Sequence, residues 1–226
     1  EARVVASIAA GADSDVLAHL RTPGAVILAG ERLAGVPGAL SAVADLAAST
    51  GAALGWVPRR AGERGALDAG ALAGLLPGGR PLDDASARQQ VAAVWGVQAS
   101  DLPRQPGRTV GSIIDALITD VRRSATGETR LIDALVIAGV DVSDDPRAGE
   151  LLGALDEGPF LVALSTHHSD VTERADVVFP VAVVTEKAGA FTDWEGRIKP
   201  FSAAVRGTPH LPDGRVLAML ADVMDV

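Results

Sequence analysis

Five short apolar runs recur along this chain of 226 residues, each of strand length and each separated from the next by segments of helical period. They occupy residues 25–29, 52–57, 134–138, 160–164 and 177–179. Strands that alternate with helices point to a layered α/β fold, because the intervening helix carries the chain back to start a parallel neighbour. The expected architecture is therefore a doubly wound, mostly parallel sheet. The helices have readable ends. Asp13 and Ser14 cap a short helix that runs to Leu20, and Pro37-Gly38 opens another, with Leu40, Val43, Ala44 and Ala47 on one face and Gly51 at its end. Asp83 or Asp84 caps a helix through Trp95. Thr109 caps the clearest one, in which Val110, Ile113, Ile114, Leu117, Ile118 and Val121 repeat at helical spacing. Two more are expected at about 147–155 and from Asp170. Residues 207–214 are rich in turn formers, and a further helix starts at Arg215. The expected division is one α/β region over 1–206, then a turn-rich C-terminal link and the start of a helix over 207–226. With no initiating Met, the sequence reads as part of a longer polypeptide.

Composition removes several function classes. Hydrophobic residues make up 48% but aromatics only 3%, so Ala, Val, Leu and Gly fill the core, which suits helices packed closely on a parallel sheet. The net charge is −9 and no Lys/Arg-rich run occurs, which leaves no electrostatic footprint for nucleic acid. No stretch of 18 residues is apolar without a charged interruption, so no membrane insertion is expected. The first residues, Glu1-Ala2-Arg3-Val4, lack a signal-peptide pattern. Cysteine is absent altogether, so this stretch holds no all-cysteine iron–sulfur cluster, disulfide or thiol nucleophile.

No G-x-G-x-x-G, P-loop, G-x-S-x-G or H-E-x-x-H motif occurs. His167 and His168 follow a strand, at the carboxyl edge where doubly wound sheets bind ligands. Adjacent residues point apart, however, so the pair reads as a solvated loop rather than a metal site. His19 and His210 give no signal. Residues 58–81, rich in Gly, Pro and Arg, read as a long functional loop at the carboxyl ends of the strands. Within it, Arg59, Arg60 and Arg64 suit either a phosphate or salt bridges to neighbouring acids or a partner subunit, and the acidic balance of the chain favours the salt bridges. Asp141, reached through Gly139 after a strand, suits ribose hydroxyls or a turn equally. Glu186 and Glu195 read as anchors for loop backbone. Trp56, Trp95 and Trp194 read as packing anchors.

The stretch 175–201, ADVVFPVAVVTEKAGAFTDWEGRIKPF, resembles the segment that closes the third domain of the molybdopterin oxidoreductase superfamily. Pro180 within it ends a strand or marks a sheet edge, since it has no N–H for the ladder. Three earlier stretches resemble the superfamily in the right order. They are RGALDAG followed by LPGG (64–70 and 76–79), VWGV with LP, PG and TV (94–110), and DALVIAGVDVSDDP (133–146). The EKAGAF and DWEGR wording, followed by Pro200-Phe201, is most similar to the respiratory complex I branch. That resemblance implies a parent that passes electrons from NADH toward quinone with proton translocation, through iron–sulfur clusters elsewhere in its chain. The region itself would be a redox-silent scaffold without a cofactor. It also implies other peripheral-arm subunits of complex I as partners, and a peripheral place on the cytoplasmic face of the cell membrane. Two other readings stay open: part of a catalytic molybdopterin enzyme such as a formate dehydrogenase, or a nucleotide-binding regulatory module. By resemblance, Arg64, Asp68, Gly139, Asp141, Glu186 and Asp193 stand at cofactor-binding positions, here vestigial. Active members carry Asn-Pro where this chain has Asp141-Val142, and Asn where it has Asp193. Both amides have become acceptor-only carboxylates, which argues against tight binding of a pterin guanine dinucleotide.

Overall fold

A computed structural model of the chain describes residues 2–9, 13–36, 38–60 and 62–225. It divides into two compact units. The first comprises Glu1–Ala71, Pro77–Gly79 and Phe191–Lys199, and the second Leu72–Leu76, Arg80–Ala190 and Pro200–Val226.

The first unit begins with α1 (Ala2–Ala9), which the sequence did not signal, and α2 (Ser14–Leu20). Asp13 caps α2, its side chain accepting from the Val16 N–H at 3.1 Å. There follow β1 (Val26–Gly30), α3 (Ala39–Thr50), β2 (Ala53–Val57) and α4 (Glu63–Asp68). Pro37, expected to open α3, lies outside the described residues. Gly51 closes α3 in the left-handed conformation at φ 77°, as the sequence indicates. The buried stripe of α3 is Ala39, Val43, Leu46 and Ala47, whereas Leu40 is 40% exposed. The expected face, Leu40–Val43–Ala44–Ala47, is thus rotated. Turning Leu46 inward with Val43 buries more apolar area than turning in Ala44. Strands β1 and β2 pair in parallel from Val26↔Ala53 to Gly30↔Val57.

In the second unit, β3 (Leu75–Leu76) and β4 (Arg80–Pro81) form a short antiparallel pair. They lead to α5 (Ala85–Trp95), capped by Asp84, whose Ala87, Val91 and Ala92 pack with Leu76, Leu82 and Leu102 into a satellite core. The main core is built by α6 (Val110–Ser124), β5 (Ala134–Ala138), α7 (Ala148–Asp156), β6 (Phe160–Ser165), α8 (Asp170–Arg174) and β7 (Val177–Pro180). The three strands run parallel in the order β5-β6-β7. Pro180 ends an edge strand, the place its missing N–H favours. The chain continues through the paired strands β8 (Gly189–Thr192) and β9 (Ile198–Phe201) to α9 (Asp213–Met224).

Strand β6 organises both faces of its sheet, because successive side chains point to opposite sides. Leu161 and Ala163 join Ile114, Leu117, Leu151 and Leu155 of α6 and α7, and Leu164 joins Val181 and Val216 of α9. The stripe expected on α6 largely holds: Ile114 and Leu117 are buried, Ile113, Ile118 and Val121 pack beside them, and only Val110 is open at 61%.

Polar groups fix the order of these layers. Asp120, 3% exposed on α6, accepts from the Leu131 and Ile132 N–H groups at 2.7 and 2.9 Å, just before β5. Asp176 accepts from the Leu161 N–H at 2.7 Å while its own N–H donates to the Leu161 carbonyl at 2.9 Å, which starts the β6–β7 pairing. The Arg130 guanidinium donates to the carbonyls of Glu157, at 3.0 Å, and Gly158, beyond the end of α7. Arg147 joins α7 to Asp115 of α6 at 2.8 Å.

The α/β class and the parallel strand direction hold. The five expected strands are divided, however, between a two-stranded sheet, β1-β2, and a three-stranded sheet, β5-β6-β7.

Asp120→Ala should leave two amides near β5 without an acceptor and cost roughly 1–3 kcal/mol for each group that stays dry. A denaturant titration checks it, together with faster hydrogen exchange at Leu131 and Ile132. Gly158→Ala places a Cβ 2.6 Å from the Ala154 carbonyl oxygen. It should lower stability by about 1–3 kcal/mol through overpacking.

Candidate functional site

At the carboxyl ends of β5, β6 and β7 lie three adjoining hollows of about 260, 130 and 290 Å³, all within the second unit. Open parallel sheets present ligands at this edge, because the strands end there and the loops diverge. From β5 come Gly139, Val140 and Asp141, and from β6 come Ser165, Thr166, His167 and His168. Pro180 ends β7, Val181 and Val183 follow it, and Glu186 and His210 complete the hollow of about 260 Å³.

Each polar side chain has a local duty. Gly139 prolongs the ladder, its N–H donating to the Leu164 carbonyl at 3.1 Å, and then turns the chain at φ 62°. Asp141 caps a 3-10 turn, accepting from the Ser143 N–H at 3.0 Å and the Ser143 hydroxyl at 2.6 Å. Glu186 accepts from the Val183 N–H at 3.3 Å and faces His210 Nδ1 at 3.4 Å. Next to it, Lys187 pairs with Asp213 at the start of α9. Ser165 donates to the His167 carbonyl at 2.8 Å, and His167 Nδ1 lies 3.2 Å from the Thr166 hydroxyl. The lining residues include the acids Asp141, Asp170, Glu173 and Glu186 but no Lys or Arg. Among the described residues, no group of three or more His, Asp or Glu side chains is placed to hold a metal ion.

The other three positions singled out in the sequence, Arg64, Asp68 and Asp193, belong to the first unit. Arg64 pairs with Asp68 one helical turn away at 3.4 Å. The Asp68 carbonyl accepts from the Gly78 N–H at 2.7 Å, so the Pro-Gly-Gly turn folds back on α4. Asp193 Oδ1 accepts from the Glu195 and Arg197 N–H groups at 3.1 and 2.8 Å, and Gly196 completes that turn at φ 85°. Glu195 pairs with Arg197 at 2.7 Å rather than holding loop backbone. Arg59 lies just beyond the carboxyl end of β2, as expected of the 58–81 loop. Its N–H and guanidinium both meet Glu31, which follows β1.

Of the six positions, the structure therefore brings Gly139, Asp141 and Glu186 to one crevice. It adds Ser165, Thr166, Thr172 and His210. The hydroxyls of Ser165 and Thr166 could be found from the polar run that ends an apolar strand, whereas His210, far along the chain, gives no such sign. Trp95 and Trp194 are 56% and 48% exposed, unlike buried anchors, since the inner face of α5 is already filled by smaller side chains.

The family model described as molybdopterin oxidoreductase matches residues 24–208. The chain belongs to the molybdopterin oxidoreductase family. It is 53% identical over 222 residues to the NADH-quinone oxidoreductase G subunit of Mycobacterium bovis, which covers 97% of this chain and 26% of that protein. The protein of the same name from Streptomyces coelicolor is 52% identical over 212 residues, 92% of this chain and 24% of that one. A nitrate reductase of Symbiobacterium thermophilum is 32% identical over 139 residues, 61% of this chain and 17% of that protein. The chain spans about a quarter of the length of the two NADH-quinone oxidoreductase relatives it matches.

Because an amide oxygen can replace Asp141 Oδ1 as the acceptor from Ser143, Asp141→Asn should cost less than Asp141→Ala, which removes the cap and should cost roughly 0.5–2 kcal/mol. Thermal denaturation of the two variants side by side is the check.

Proposed function

We propose that these residues form a redox-silent scaffold within the large iron–sulfur subunit of an NADH-quinone oxidoreductase, the complex that passes electrons from NADH toward quinone coupled to proton translocation. The observation that carries this reading is the 53% identity, over 97% of the chain, to a subunit of that complex, against 32% over 61% for the nitrate reductase. Iron–sulfur clusters then belong to other parts of the parent chain, since there is no cysteine here to ligate one. The natural partners are the other peripheral-arm subunits, on the cytoplasmic face of the membrane. No helix among the described residues is long and apolar enough to cross a membrane, which agrees with a peripheral place.

Active relatives in such a family hold a pterin guanine dinucleotide, and the six singled-out positions are read here as vestiges of its site. The crevice at the β5–β7 edge does not fit that group. A pyrophosphate is held by cationic side chains or free backbone N–H groups, and this rim sets four carboxylates, with neither Lys nor Arg, against its negative charge. Asp141 and Asp193 use their oxygens as acceptors from backbone amides of their own turns, so neither presents a donor to a ligand. No catalytic step is assigned to the region.

Two measurements test the reading. The tagged full-length parent should co-purify with NADH-dependent quinone reduction, and isolation in an assembly without that activity would overturn it. Calorimetric titration of the parent with guanine nucleotides should give no binding at micromolar or tighter affinity. Binding of that strength that survives Asp141→Lys unchanged would refute the charge argument.

A further inference from the structure

Parallel sheets are ordinarily covered on both faces. In the second unit, α6 and α7 cover one face of β5–β7, while α9 covers the other only around Val162, Leu164 and Phe179. On that second face Val136 is 55% and Phe160 53% exposed. Register places Val136 beside Val162, and Phe160 beside Ala134 one step below, so the two open side chains are diagonal neighbours. The first unit repeats the pattern. Ala29 of β1 is buried, but Val26 and Leu28, on the opposite face, are 56% and 61% exposed, and Gly55 lies across from Leu28. Its sheet has only two strands among the described residues, so its stability depends on what packs against its faces.

We infer that these two open sheet faces are docking surfaces for the portions of the same polypeptide that lie outside these 226 residues. The inference rests on the proposed membership of a longer subunit. Three observations select the occupant. The NADH-quinone oxidoreductase relatives are about four times as long as this chain, so most of such a polypeptide is available to cover the faces. Val26, Leu28, Val136 and Phe160 present apolar surface without a charged side chain among them, like a core cut open rather than the mixed surface of a separable interface. A second copy is disfavoured by the net charge of −9 that each copy would bring.

The test uses the full-length parent in its native assembly, with the photo-crosslinking amino acid p-benzoylphenylalanine at position 28 or at position 160. The expected products are crosslinks within one polypeptide, to peptides outside this region. Crosslinks to a different subunit, to a second copy or only to residues of this region overturn the inference. Should the replaced side chain disturb folding, hydroxyl-radical footprinting of the unmodified parent decides. Phe160 should lose its labelling and match its buried neighbour Leu161, and labelling of Phe160 and Leu28 at the level of open side chains refutes the proposal. Co-purification with NADH oxidation is scored separately. A parent found in another enzyme would thus disprove the functional reading while leaving the crosslinks to judge the surfaces.

Discussion

The alternation of side chains along β6 is the constraint on which the larger unit depends. Six residues supply the centre of the sheet, the floor under α6 and α7, and the seat of α9. A shift of one residue in its pairing would exchange Leu161 and Ala163 for Val162 and Leu164 and set each layer against the wrong partner. The register is held at the amino end of the strand, on both of its edges. Phe160 donates its N–H to the Asp133 carbonyl at the start of the β5 ladder, and the two-way bond between Leu161 and Asp176 begins the β7 ladder. The carboxylate of Asp120 then fixes where the chain leaves α6 for β5. Because these contacts are near the amino ends of the strands, the carboxyl ends remain open for a crevice.

Much of this arrangement was legible in the sequence where a local rule dominates. Asp13, Asp84 and Thr109 cap helices, Gly51 ends one, and the strand runs fall within a residue or two of their place. Local rules do not say which strands share a sheet. Along the sequence between the two parallel sheets, the chain builds a satellite core from Leu76, Leu82 and Leu102, which no periodic pattern links. The face of α3 escaped for a similar reason, since Val43 and Ala47 belong to either stripe and only the competition with Leu46 decides.

The crevice was legible in part. Gly139, Asp141 and the two histidines follow apolar strands, which puts them at the ligand edge of such a fold, and Glu186 came from the family resemblance. His210 arrives through a turn-rich segment that pairs with the sheet at Val181 and Leu211, a tertiary event without a sequence signature. Arg64 and Asp68 meet because they lie one helical turn apart, and Arg59 meets Glu31, so two arginines of the cationic loop are matched by carboxylates.

Asp176 bears on how chains of this kind can diverge. Its carboxylate and amide both join the first step of a β ladder, and Pro180 closes the same strand four residues later, so folding gives the signature that contains them a structural use. At the rim of the crevice, the acceptor role of Asp141 toward Ser143 is one that an Asn oxygen can also fill. A lineage can therefore lose a ligand through a few exchanges at the rim while its most recognisable stretch stays intact. Motif and chemistry then evolve on separate clocks, and finding ADVVFP in a chain reports its architecture well before it reports any reaction.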